Sequence, residues 1–208
     1  MSKPTTHVLL LVDDSGSMSS VAEAVRSGFN EYIDSLIADK DAKYRVTVGI
    51  FGSEYRTVAS AEKPKNVLKL DRSTYRAAQF STSLYDGIGQ IIGEFDKATT
   101  LATDDKVILV IQTDGQDNSS REFTVDDARQ LIETKQAVGW SVLYLGAGPA
   151  AWSGGVALGI KGNSSFNTQH TADGYASSYT GVTRSSFAAA RGADSDGVAE
   201  AMRSAFND

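Results

Sequence analysis

The sequence predicts an α/β fold built on a doubly wound, mostly parallel β-sheet with one antiparallel edge strand. Three short apolar runs, at residues 9–12, 106–112 and 140–145, are bounded by polar and turn-forming residues. Continuous apolar runs of this length are typical of strands that are buried on both faces of a parallel sheet. The segments between them carry apolar residues at helical spacing, and strands that alternate with helices form a Rossmann-type sheet.

Length and composition favour one domain with a full hydrophobic core. The chain has 208 residues, of which 41% are apolar, and it contains no cysteine. We expect residues 1–191 to form a single domain. We leave the order of residues 192–208 open, because this segment is polar with one weak apolar stripe. The absence of cysteine excludes a disulfide framework, a thiolate nucleophile and a cysteine-based metal site.

Charge and hydropathy argue against nucleic-acid and membrane partners. The formal net charge is −6 and no run of Lys or Arg stands out, whereas nucleic-acid binding requires a basic surface. The first apolar run is too short to cross a membrane, and it leads into Asp13 rather than into a signal-peptide cleavage site. We therefore expect a cytoplasmic protein without a transmembrane segment.

The chain order predicts a helix, a hairpin and then further helices and strands. Apolar residues recur at helical spacing over residues 21–37, and Ser17 to Ser20 are candidates for the helix N-cap. Residues 44–51 and 55–59 are joined by a short polar turn, which predicts a hairpin whose second strand lies antiparallel at the sheet edge. Further elements are predicted at residues 84–95 (helix), 125–138 (helix capped by Thr124), 150–158 (short helix), 163–168 (edge strand) and 171–191 (helix).

Oxygen-bearing side chains follow two of the predicted strands. Asp13, Ser15 and Ser17 stand at alternate positions after the first strand, where ligands bind in open α/β sheets. A carboxylate with hydroxyls, and no Cys or His nearby, is a ligand set for a hard cation such as Mg²⁺ or Ca²⁺ rather than for zinc. Asp114 ends a second buried strand, and right-handed crossovers place this strand next to the first. We therefore expect the two carboxylates to be neighbours.

Together with Thr82, these residues resemble the metal-ion-dependent adhesion site of von Willebrand factor type A (VWA) domains. Val-Asp-Asp-Ser-Gly-Ser-Met at 12–18 resembles the first motif of that family, Thr-Ser-Leu-Tyr-Asp-Gly at 82–87 its threonine loop, and Gln-Thr-Asp-Gly at 112–115 its second aspartate. The three motifs occur in the expected order. The resemblance covers roughly residues 7–160, and the chain looks closest to short stand-alone VWA proteins of bacteria and tailed phages.

The resemblance implies a non-enzymatic protein-binding module that depends on a divalent cation, Mg²⁺ first, with Mn²⁺ or Ca²⁺ as alternatives. It implies that Ser15 and Ser17 are direct ligands, that Thr82 and Asp114 exchange between direct and water-mediated contact, and that Asp13 acts through water. An Asp or Glu of a partner protein would complete the coordination. In one departure from the family pattern, Ser81 stands where a glycine often precedes the threonine, which favours a stiffer loop.

Several other interpretations stay open. Ser and Asp at strand ends are also the commonest helix caps. The same cation could be the Lewis acid of a hydrolase, although no motif-linked histidine supplies a base and Asp14, expected at the surface or behind the ligands, is the only obvious spare acid. Residues 146–151, with Gly146 and Gly148, match a relaxed dinucleotide fingerprint without a ribose-binding acid after the next strand. His7 and His170 lack paired ligand spacing, so we expect both to be structural or exposed.

Overall fold

One mixed β-sheet forms the centre of the fold. The computed structural model describes residues 3–148 and 150–206, with side chains at all of these positions except 150–152. The sheet has the strand order β3-β2-β1-β4-β5-β6, in which only the β2–β3 pair is antiparallel. The predicted parallel sheet, its antiparallel edge strand and the placement of β1 beside β4 are confirmed. The strands are β1 (Thr5–Asp13), β2 (Lys43–Phe51), β3 (Arg56–Glu62), β4 (Lys106–Thr113), β5 (Ser141–Ala147) and β6 (Ser165–Thr168).

Helices cover both faces of this sheet. Helices α1, α5 and α6 pack over one face, while α2 and α3 pack over the other. Strand β1 alternates between the two layers: Leu10 contributes to the first core, and Leu9 and Leu11 contribute to the second. The continuous apolar run of β1 follows from this two-sided burial. The helices in the described part of the chain are α1 (Ala22–Ala38), α2 (Leu84–Ala98), α3 (Val125–Ala137), α4 (Ala150–Ala157), α5 (Ala172–Ala190) and α6 (Ser195–Ser204).

Helix starts agree with the sequence at α3 but not at α1. Thr124 caps α3 in a capping box, because its hydroxyl accepts a hydrogen bond from the Asp127 amide and the Asp127 carboxylate accepts one from the Thr124 amide. Ser17 to Ser20, predicted as N-cap candidates, instead lie inside a 3₁₀ helix, Gly16–Val21. This tighter turn buries Met18 and Val21, and α1 begins at Ala22 without a side-chain cap.

The C-terminal segment whose order the sequence left open contains α6. Val198 and Met202, two members of its weak apolar stripe, are fully buried. Gly181 of α5 allows the two helices to approach closely, since a Cβ on it would lie 2.5 Å from the sulfur of Met202. Asp194 caps α6 by accepting a hydrogen bond from the Gly197 amide. Among the described helices, none combines the length and apolar character needed to cross a membrane.

Candidate metal centre

The candidate site lies where β1 and β4 end side by side. Val12 pairs with Gln112 in the parallel register, so the chain leaves the two strands at adjacent points, Asp13 and Thr113. On the other side of β1, the Asp14 amide donates a hydrogen bond to the Phe51 carbonyl at 2.7 Å. The polar residues after β1 therefore emerge between two neighbouring strand ends.

Four of the five predicted ligand residues form one connected set of oxygen atoms. The Ser15 amide donates to Asp13 Oδ1 at 2.8 Å. The Ser15 and Ser17 hydroxyls are 3.1 Å apart, and the Ser17 hydroxyl donates to Asp114 Oδ1 at 2.7 Å. Adjacent oxygen ligands of an octahedral Mg²⁺ are about 2.9 Å apart, given metal–oxygen distances near 2.0–2.1 Å. The two measured oxygen separations lie on either side of this value, so the cluster fits a small octahedral cation.

Thr82 approaches the same site from the loop before α2. The backbone amide of Thr82 donates a hydrogen bond to the side-chain oxygen Oδ1 of Asn118 at 2.8 Å. The backbone carbonyl of Thr82 accepts one from the backbone amide of Asn118 at 2.9 Å. A Cβ on Gly115 would lie 3.6 Å from Thr82 Oγ1, so this hydroxyl faces the turn that carries Asp114. Within the described part of the chain, the Thr82 hydroxyl has no hydrogen-bond partner, although the residue is buried. It is therefore available to a ligand.

Asp13 is the most buried carboxylate of the site. Its Oδ2 accepts a hydrogen bond of 2.6 Å from the Thr113 hydroxyl, and its carbonyl accepts one of 2.7 Å from the Tyr75 hydroxyl. Burial raises the pKa of the Asp13 carboxyl above its usual range, against the lowering effect of the Thr113 and Ser15 hydrogen bonds. Both Asp13 oxygens already accept one hydrogen bond, which suits contact with a cation through water.

Asp14 is buried rather than exposed, and it holds the loop that leads to Thr82. Its Oδ1 accepts hydrogen bonds from the Arg76 and Ala77 amides at 3.0 and 2.5 Å. Its Oδ2 lies 3.3 Å from Gln79 Nε2 and 3.7 Å from an Arg56 guanidinium nitrogen. Of the two positions expected for Asp14, the structure shows the one behind the predicted ligands and not the one at the surface. The loop at residues 76–79 folds back over the end of β1, and the Asp14 carboxylate accepts its backbone hydrogen bonds. Ala77 adopts a left-handed conformation, with φ of 50°, at the point where Asp14 binds it.

The loop after β4 is fixed to the start of α2 by two further carboxylates. Asp86 accepts hydrogen bonds of 2.8–2.9 Å from three successive backbone amides, those of residues 121–123. Asp117 accepts hydrogen bonds from the Tyr85 amide and from Ser120. Because these bonds join the segments that carry Thr82 and Asp114, the two segments are held together independently of any ligand.

His170 lies beside the site, a position that no sequence pattern indicated. It follows β6 and precedes α5, and its Nδ1 is 3.7 Å from Asp114 Oδ2. Its Nε2 is 3.1 Å from the Ser20 hydroxyl, and its ring packs edge-on against Tyr175. His7, in contrast, is buried at the far end of β1 beside Asp105 and Phe95. Both histidines thus match the expectation of a structural or an exposed residue: His7 is buried, and His170 is exposed. The position of His170 beside the Asp114 carboxylate is the part that the sequence did not predict.

The turn that resembles a dinucleotide fingerprint follows β5. Gly146 and Ala147 belong to this strand, Gly148 has a φ of 76°, and Pro149 lies outside the described residues. The next strand, β6, is followed by Gln169 and His170, so the carboxylate that would bind a ribose is missing there. The described residues of this segment thus place the end of β5 and the start of α4 close together in sequence, without the acid that a dinucleotide site requires.

Comparison with known proteins identifies the fold. The sequence matches no protein-family profile and no curated protein sequence. Among solved structures, proximal thread matrix protein 1 from the mussel byssus, with a zinc-occupied MIDAS motif, aligns with a TM-score of 0.66 at 16% identity over 87% of this chain and 48% of its own. A von Willebrand factor type A protein from Catenulispora acidiphila aligns with a TM-score of 0.56 at 19% identity over 89% of this chain and 43% of its own.

The manganese-loaded TRAP protein of Plasmodium vivax is a third similar structure, with a TM-score of 0.53 at 18% identity over 70% of this chain and 58% of its own. The chain thus spans about half the length of the proteins that it resembles. Their shared architecture, together with the strand order, defines the class: this chain has the fold of a VWA domain.

The contacts of Asp14 predict a loss of stability when its carboxylate is removed. Asp14→Ala leaves two loop amides without an acceptor, and each buried unsatisfied donor costs about 1–3 kcal/mol. We expect the free energy of unfolding, measured by urea denaturation in a chelator, to fall by about 2–4 kcal/mol. Asp104→Ala is the matched control, because Asp104 is exposed, and it should change stability by less than about 0.5 kcal/mol. Equal stability of the two variants would contradict the anchoring role of Asp14.

Proposed function

We propose that this chain is a protein-binding module that depends on a divalent cation. In this proposal Asp13, Ser15, Ser17, Thr82 and Asp114 hold the cation, and an acidic side chain of a partner protein completes its coordination. The observation that carries the proposal is the oxygen cluster at the ends of β1 and β4, in which Ser17 bridges Ser15 and Asp114 at octahedral ligand spacing. The unpartnered hydroxyl of Thr82 adds a further oxygen.

The chemistry of the donors favours Mg²⁺, with Mn²⁺ or Ca²⁺ as alternatives. Two carboxylates neutralise a divalent ion, and hard oxygen donors suit these cations. No group of three or more His, Cys, Asp or Glu side chains in the described residues is placed to hold a metal, so the hydroxyls are essential to the site. The MIDAS of the mussel protein holds zinc and the TRAP protein is manganese-loaded, which is why we would test both of these ions beside Mg²⁺.

An exposed aromatic residue beside Thr82 supports a protein partner. Phe80 is fully exposed, yet its loop is held in place, since its amide donates to the Ser53 hydroxyl and the Ser81 hydroxyl also bonds to Ser53. Exposed aromatic residues on fixed loops are frequent hot spots of protein interfaces. A partner that presents a carboxylate to the cation would cover Phe80 in the same contact.

The proposal predicts that divalent cations stabilise the folded chain through Asp114. At about 100 times the dissociation constant, a ligand of the native state adds roughly 2.7 kcal/mol to the free energy of unfolding. We expect Mg²⁺ or Mn²⁺ to raise the melting temperature of the unmodified chain, and we expect no rise for Asp114→Ala or Ser17→Ala. Asp104→Ala should keep the full rise. A melting temperature of the unmodified chain that no divalent cation changes would remove the basis of the proposal.

The partner chemistry is testable with immobilised peptides. We expect peptides with an exposed Asp or Glu to bind the chain in Mg²⁺, to be released by chelator, and to lose binding when that acid becomes Asn or Gln. Phe80→Ala should weaken binding by about tenfold, as for a typical hot-spot truncation, without altering the metal-dependent melting shift. Peptide binding that persists in chelator would contradict a metal-completed contact.

The position of His170 favours metal-assisted hydrolysis as a second candidate function. The sequence offered no base beside the cation, but the fold brings the His170 imidazole within 3.7 Å of Asp114. An imidazole beside a bound divalent cation can act as a general base toward water.

The hydrolase alternative predicts divalent-dependent turnover of generic phosphoesters such as p-nitrophenyl phosphate and its bis ester. Both Asp114→Ala and His170→Gln should then lose the activity, whereas His7→Gln should retain it if folded. Loss of turnover in Asp114→Ala alone would assign the chemistry to the cation without His170. Absence of turnover in the unmodified chain with Mg²⁺, Mn²⁺ or Zn²⁺ would leave the binding module as the function.

A further inference from the structure

A cavity of about 550 Å³ opens at the end of the sheet opposite to the candidate metal centre. Thr5, the first residue of β1, lies in its wall, whereas Asp13 at the other end of this strand belongs to the metal centre. Thr5 and Asp13 are the two end residues of β1, eight residue steps or roughly 26 Å apart at about 3.3 Å per step. The cavity is therefore a separate feature of the fold, of a volume typical for small-molecule sites.

Five cationic side chains line this cavity, although the chain has a formal net charge of −6. These side chains come from three segments: the end of α1, the start of β2 and the segment after β3. The start of β2 lies beside the end of β3 because Val46 pairs with Glu62. The five cationic residues lie in separate parts of the sequence, so no run of basic residues indicates this site. The five are Lys40, Lys43, Arg45, Lys63 and Lys65.

Four of these cations form no ion pair in the described part of the chain. Lys40 donates a hydrogen bond to the Ile37 carbonyl and so caps α1. Lys43, Arg45, Lys63 and Lys65 form no ion pair or side-chain hydrogen bond with any described residue. Elsewhere on the structure, cations such as Arg26, Lys69 and Lys135 pair with carboxylates.

The carboxylates nearest to the cavity in sequence have other partners or lie outside its wall. Asp39 accepts hydrogen bonds from the Tyr44 hydroxyl and from Arg191. Glu62 accepts one from Asn66, and Asp105 accepts one from the Thr5 amide and lies 3.4 Å from His7 Nε2. Asp41 is exposed and does not line the cavity. The cavity wall therefore contains five cationic side chains and no acidic one, and four of these cations form no ion pair with a described residue.

The wall also has an apolar part, formed by Leu36, Ile37, Ala42 and Pro64. We propose that the cavity binds a small organic phosphate, with the phosphate among the four unpaired cations and the organic part against this apolar surface. A phosphate monoester carries close to two negative charges at neutral pH and three strong acceptor oxygens, and Lys and Arg bind such groups through charge-assisted hydrogen bonds. The acidic remainder of the surface disfavours long polyanions, so a small ligand fits the charge distribution better.

The test is an NMR titration of the full chain with butyl phosphate and, separately, with inorganic phosphate. The ionic strength is held constant, and a chelator is present so that no divalent cation can bind phosphate at the candidate metal centre. We expect saturable shifts at Ile37, Ala42 and Lys63, with butyl phosphate binding about tenfold more tightly because its alkyl group covers apolar surface. Equal affinity for the two probes would overturn the organic part of the proposal. Absence of saturable shifts would overturn the site.

Matched double variants separate this site from general charge attraction. Lys43→Gln with Lys63→Gln removes two cavity cations and should weaken butyl phosphate binding by about tenfold or more. Lys97→Gln with Lys161→Gln removes two exposed cations elsewhere and should leave the affinity unchanged. All four residues are exposed, so both double variants should retain the melting temperature of the unmodified chain. Equal affinities of the two double variants would overturn the proposal.

Discussion

The parallel register that places β1 between β2 and β4 is the constraint on which the rest of the structure depends. Because β1 is central, its side chains must serve both cores, and its residues 8–12 are apolar throughout. The same register brings the first polar residue after this run, Asp13, against Thr113 at the end of β4. A shift of one residue would exchange the two core layers of β1 and would separate the oxygen atoms of Asp13 and Thr113. Core packing and site geometry thus have one common cause.

Around this strand end, the loops are bonded to each other rather than only to the sheet. Asp14 binds the loop before Thr82, Asn118 pairs with the backbone of Thr82, and Asp86 binds the loop after Asp114. Carboxylates and amides that bind neighbouring backbone in this way fix the positions of the proposed ligand oxygens through contacts within the chain alone. Such preorganisation reduces the entropy that binding would otherwise lose. The left-handed backbone at Ala77 shows that the arrangement is maintained even where an L-residue disfavours it.

The sequence was sufficient to predict the sheet, its edge hairpin and the neighbouring ends of β1 and β4, because apolar period and the order of the elements can be read along the chain. The assignment of five residues as metal ligands stays a prediction. The sequence was insufficient where a role depends on long-range contact. Asp13 and Asp14 are adjacent acids of the same type. Only the course of the loop at residues 76–79 shows that Asp14 binds this loop, while Asp13 lies beside Thr113 at the candidate metal centre. His170 and the basic cavity are further cases, since their charges come from segments that are distant in sequence. The N-cap of α1 was predicted wrongly, because Ser17 to Ser20 lie in a 3₁₀ helix that buries Met18 and Val21, and α1 begins after it without a side-chain cap.

The hydrogen bond between Ser17 and Asp114 joins residues that are 97 positions apart. During synthesis, β1 and Ser17 leave the ribosome well before β4 and Asp114 exist, so the oxygen cluster has no counterpart in an incomplete chain. Parallel pairing across such a separation is also a slow step of folding, because the loop must close before the contacts form. A ligand that needs the complete cluster would therefore bind only chains in which β1 and β4 are already paired.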